Sequence, residues 1–111
     1  MAAPKRPGVV LRSERSPGQY HSMRAHVDDE GTLHVEGEDV DPLLDSFVGK
    51  GEVEWSYKVR AEHLPALVEA LGGEPGADVI DLLAERYTGE GSYELKRVLN
   101  SRVVPVERFL Y

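Results

Sequence analysis

The sequence predicts a small α+β domain: a mainly antiparallel sheet, built from a hairpin, a third strand and a C-terminal strand, with about three helices packed on one face. Three observations carry that expectation. Strict apolar–polar alternation runs on both sides of a glycine-containing turn, through Met23–Val27 and Leu33–Glu36, and returns in "GEVEWSYKVR". The period then changes at residue 61 to helical spacing, with Leu64, Leu67, Val68 and Leu71 on one stripe. Glycine and proline clusters separate these segments, and 111 residues suffice for one core without staples.

Residues 1–18 hold Lys5, Arg6, Arg12 and Arg15 against Glu14, between proline and glycine at both ends. They read as a flexible basic leader to a single domain over 19–111. In the hairpin, Val27 must face Leu33 for the apolar rows to align, which leaves Asp29-Glu30-Gly31 as the loop. Gly31 then takes the left-handed position that costs glycine least. The same register sets His26 opposite His34 and Arg24 opposite Glu36 on the polar face. Asp41 before Pro42 reads as a helix start, giving a short turn over residues 42–47 with Leu43, Leu44 and Phe47 inward. Val53, Trp55, Tyr57 and Val59 form the inward row of the strongest strand.

A helix is expected from near Glu62 to the Gly72-Gly73 stop, with Pro65 tolerated in its first turn. A second is expected in "PGADVIDLLAERY", its stripe being Val79, Leu82, Leu83 and either Arg86 or Tyr87. Ser92 is expected to cap a third, from Tyr93 to about Asn100. "VVPVERFLY" reads as a last strand that Pro105 confines to an edge or a strand start. Its facing stays open, because Val104/Val106 and Phe109/Tyr111 differ in parity. The expected core includes Val27, Leu33, Val35, Trp55, Tyr57, Leu67, Leu71 and Leu82.

The charge is unevenly placed. The chain carries −7 overall, and residues 28–54 alone hold ten acids against Lys50. Such a body repels nucleic-acid phosphates and favours basic partners. Only the leader offers an anion a weak contact. Within residues 35–55, Glu36, Glu38, Asp39, Asp41, Asp45, Glu52 and Glu54 precede or flank the one tryptophan. A calcium loop is disfavoured there, since Pro42, Leu43 and Leu44 stand where oxygen ligands or glycine belong. A run this hydrophilic reads as a solvated docking face, not as paired catalytic carboxylates.

His26 and His34 could contribute to a zinc site, but a third ligand (His21, Glu36 or His63) is not fixed by spacing. No nucleophile elbow or phosphate loop is present. Glu52 and Glu54 flank Trp55, where an RNA-binding sheet would carry cations. No metal or cofactor is therefore expected. Cysteine is absent and no apolar run could span a bilayer, so the expectation is a cytoplasmic protein with no membrane contact.

The stretch "EVEWSYKVRAEHLPALVEALGGEPGADVIDLLAERY", with the terminal "PVERF", resembles a group of small acidic actinobacterial proteins of unknown function. The resemblance covers about residues 28–111 and implies a shared fold, with no catalytic residues to carry across. By size and charge it also implies likeness to immunity proteins, which neutralise a toxin by covering its active site. The leading expectation is a non-enzymatic binding module that docks a basic partner through its acidic stretch. Two alternatives stand beside it. One is a small enzyme or ligand-binding domain with a pocket between sheet and helices; the other is a regulatory accessory protein using the basic leader.

Overall fold

The computed structural model describes residues 8–41 and 51–110. Five strands form one antiparallel sheet in the order β1-β2-β3-β4-β5: β1 (Val9–Ser16), β2 (Gln19–Val27), β3 (Leu33–Val40), β4 (Glu52–Val59) and β5 (Glu107–Leu110). Between β4 and β5 come a single 3-10 turn (Ala61–His63) and three helices: α1 (Leu64–Ala70), α2 (Val79–Arg86) and α3 (Gly91–Asn100).

The period-two faces set the register. Val27 pairs with Leu33, His26 with His34 and Arg24 with Glu36, as the hairpin pattern requires. Asp28 and Thr32 close the three-residue loop through a 3.0 Å amide–carbonyl bond, and Gly31 sits at φ 82°. The inner face of the sheet carries Leu11, Met23, Ala25, Leu33, Val35, Val53, Trp55, Tyr57 and Val59, all buried. Helical residues Leu67, Val68, Val79, Ile80, Leu82, Leu83, Leu95, Val98 and Leu99, with Leu71 just past α1 and Val104 before β5, complete this one core. Of the expected core residues only Val27 is half-buried, packed at the margin. No helix among the described residues is long and apolar enough to cross a membrane.

The expected flexible leader is corrected over its described part, residues 8–18. Val9–Ser16 is a strand of the sheet, paired with β2 from Val9–Ala25 to Ser16–Gln19, and Leu11 is fully buried. The register shifts between Val10 and Arg12, so a bulge interrupts the alternation that would have marked the strand. Pro17-Gly18, read as the end of a leader, is the turn of a first hairpin, with Gly18 at φ 78°.

The expected helical turn at residues 42–47 lies outside the described residues. Pro65 falls in the first turn of α1, where its missing N–H leaves no bond unmade. On α2 the open choice resolves to Tyr87, whose hydroxyl donates to the Leu71 carbonyl at 2.6 Å, while Arg86 is exposed. Ser92 is not the cap of α3. It is a buried residue of the first turn, and its hydroxyl donates back to the Gly89 carbonyl at 2.6 Å. Gly91 begins the helix, because the chain is already turning there through Gly91 N–H to Thr88 O. β5 is an edge strand beginning after Pro105, and its facing is now fixed: Arg108 and Leu110 pair with Tyr57 and Trp55 on the inner side, leaving Glu107 and Phe109 outward.

Candidate functional site: the acidic end of the sheet

The carboxylates of residues 36–54 divide between the two faces of the sheet. Even positions of β3 and β4 point outward, so Glu36, Glu38, Glu52 and Glu54 share the outer face. Glu38 lies directly opposite Glu54, Glu36 opposite Ser56, and Glu52 opposite Val40. Glu52 and Glu54 are exposed, Glu36 and Glu38 half-buried. Arg24 on β2 faces Glu36. Together with Ser56 and the backbone of Gly37, Arg24, Glu36, Glu38 and Glu54 line a shallow depression of about 150 Å³. Asp41 follows β3, donating its amide to the Gly51 carbonyl at 2.9 Å. Asp45 lies outside the described residues.

Asp39 does not belong with them. It faces inward, and both carboxylate oxygens are engaged: Oδ2 accepts the Trp55 indole N–H at 3.0 Å, and Oδ1 accepts from His21 Nδ1 at 2.8 Å. A carboxylate can only accept, so Nδ1 of His21 carries the hydrogen. In the sequence, a carboxylate among acids reads more simply as solvated. The signal that could have placed it is its parity with Val35 and Gly37.

Two cations reach this inner end of the sheet. The Lys96 ammonium of α3 lies 4.1 Å from the centre of the Trp55 ring, and the Arg12 guanidinium lies 4.2 Å from that of Tyr93. Burial lowers the Lys96 pKa, with the nearby Asp39 charge opposing the shift. Arg12 is raised above its ordinary value, chiefly by its 2.8 Å bond to Glu14. Neither cation stood out in the sequence, since each meets its aromatic only through the crossing of α3 over the sheet.

The histidine pair meets as the register requires. The His26 and His34 rings stack with centroids 4.7 Å apart and planes within 5°. His34 Nε2 donates to Asp28 Oδ2 at 2.8 Å, while His26 Nδ1 stands 3.6 Å from Glu36 Oε1. His21, one candidate third ligand, is on the other face of the sheet, because it shares the parity of Met23 and Ala25. No group of three potential metal ligands gathers among the described residues.

At the opposite end of the molecule an apolar groove of about 470 Å³ opens between the β2–β3 loop, α1 and the start of α2. Val27, Leu64, Pro65, Val68, Val79 and Ile80 form most of its walls. Val27 was expected in the core and instead helps to line this groove.

No protein-family model, curated protein or solved structure matches the chain.

Proposed function

We propose that the chain is a non-enzymatic cytoplasmic binding module, an immunity- or antitoxin-like inhibitor, that docks a basic protein partner through the outer face of β3 and β4. The observation that carries this reading is the pairing of Glu38 with Glu54, flanked by Glu36 and Glu52 on the same face. Like charges directly opposite across a ladder cost stability. A cationic partner reverses the sign of that term, because its arginines and lysines would enter a field already concentrated by four carboxylates. The depression between Arg24 and Glu54 offers such a side chain a seat with acceptors on several sides. Asp39 is left out of the docking set, since its oxygens already serve Trp55 and His21.

The test is a pull-down from host lysate followed by association kinetics with the purified partner at two ionic strengths. A variant with Glu38, Glu52 and Glu54 all changed to glutamine should associate more slowly at low salt. The difference should close at high salt, where the charges are screened. If the triple variant associates as fast as wild type at low salt, the acidic face serves solubility alone.

A further inference from the structure

We propose that the groove at the hairpin end receives the apolar row of a basic amphipathic helix presented by a protein partner. The proposal rests on the reading of the protein as a binder of basic partners, and it adds a contact far from the Glu38–Glu54 face. The groove's volume, about 470 Å³, falls in the range of ligand-receiving clefts, roughly 300–1,000 Å³. Its floor is apolar: Val68, Val79 and Ile80 are core residues whose outer surfaces face it. Its rim is open, for Ala61, Pro65, Gly76 and Ala77 are all exposed. A small apolar molecule would keep much of its surface in water on so open a seat, whereas a helix lying along it would bury one face.

Charge selects the occupant. Asp29 and Glu30 precede Gly31 on one side of the groove, Glu62 follows Ala61 on another, and Glu74 and Asp78 bracket Gly76 and Ala77 on the third. All five are exposed. Arg60, which precedes Ala61 in the chain, is bound to Glu107 at 3.2 Å. An apolar trough with Asp78 in its lining, and four more exposed acids near lining residues in the sequence, fits a helix with leucine-type anchors at i, i+3 or i+4 and i+7, and lysine or arginine on its flanks. It rejects an acidic helix of the same hydrophobicity by like-charge repulsion.

Three synthetic probes test this by calorimetry and by methyl and amide NMR: an amphipathic Leu/Lys helix, its Leu/Glu counterpart, and a Lys/Gly/Ser peptide without apolar residues. The Leu/Lys helix should bind, shifting the resonances of Val68, Val79 and Ile80 while leaving those of Glu38 and Glu54 in place. The other two should bind at least about tenfold more weakly, a difference of ~1.4 kcal/mol. Ala77→Arg should weaken the Leu/Lys helix by about tenfold or more, since it plugs the trough and adds a repelling charge. Pro65→Arg, from the opposite wall, should do the same if Ala77→Arg fails to fold.

Three outcomes overturn the proposal: no binding of the Leu/Lys helix, equal binding of the Leu/Glu helix, or shifts confined to the outer sheet face. Self-association of the wild type that Ala77→Arg abolishes would overturn it too, by assigning the groove to a second copy of this chain. The triple glutamine variant of Glu38, Glu52 and Glu54 should bind the probe as wild type does. Failure of the groove therefore leaves the outer-face reading to its own kinetic test.

Discussion

The indole ring of Trp55 lies across the backbone of Gly37 in the neighbouring strand. A Cβ placed at residue 37 would stand 2.0 Å from Cζ2 of that ring, 2.4 Å from Cε2 and 2.6 Å from the Ser22 carbonyl oxygen. Neither the indole nor the β2 backbone can give way cheaply. The ring is also tied at its N–H to Asp39, two residues along the same strand. A glycine inside a strand is otherwise a liability, and here it makes room for the largest side chain of the core.

Gly37→Ala should therefore destabilise the fold by about 1–3 kcal/mol, the usual cost of overpacking. Urea unfolding gives the magnitude, and near-ultraviolet circular dichroism reports whether the Trp55 ring has moved. Unchanged stability and an unchanged aromatic signal would mean that the indole does not rest on residue 37.

The first strand has a comparable anchor in Leu11. It is the one fully buried side chain of β1, and its carbonyl also accepts the Gly89 amide at 2.7 Å, joining the strand to the turn before α3. Leu11→Ala should cost about 2–5 kcal/mol, as for a large-to-small change in a packed core. Deleting residues 1–18 should lower the thermal midpoint by many degrees, because it removes a whole edge strand. A midpoint that stays in place after the deletion would show that the sheet is complete with four strands.

The difference between β1 and the second hairpin shows what the sequence could and could not reveal. Where a strand buries every second residue on a central ladder, as in "MRAHV" against "LHVE", its faces dictate the register. β1 buries one residue in full, lies at the edge and is broken by a bulge, so its alternation never accumulates. The helices were legible through their stripes, but the end of Ser92's side chain was not, since a serine near a helix start has several bonding choices. At the candidate site, the parity of Glu36, Glu38, Glu52 and Glu54 was readable. The groove was not, because it is made by loops and helix ends whose mutual position depends on packing.

Asp28 should give the acid limb of stability a specific signature. The His34 hydrogen bond, seconded by the amides of Thr32 and Glu30, holds its carboxyl below the usual aspartate range. A depressed folded-state pKa means that the ionised form is favoured by folding. Its contribution is complete above the unfolded value, ~3.9, and is lost as pH falls through the lower folded value. The stability gap between wild type and Asp28→Asn should then narrow as pH falls from ~5 toward ~2. Denaturation at stepped pH measures it. A gap that is constant across that range would show that the Asp28 carboxylate is not selectively stabilised by the fold.

Glu38 and Glu54 supply a test of the acidic face that needs no partner. They occupy opposite positions on adjacent strands, and both point outward beside Glu36 and Glu52. Like charges at such positions destabilise a ladder by roughly 0.2–1 kcal/mol. Changing either one to glutamine should therefore raise stability by a few tenths to about 1 kcal/mol, most clearly at low ionic strength. Changing both should gain less than the sum of the single changes, because the first substitution already removes their mutual repulsion. Added salt should shrink all three gains together. A double-mutant cycle in two salt concentrations reads every term. If the single changes are neutral and the cycle shows no coupling, the two carboxylates are held apart in solution, and the field proposed to receive a basic partner is weaker than their pairing implies. If the coupling is present, these carboxylates keep their charges opposed at a cost in stability, as a surface built to be covered by cations would.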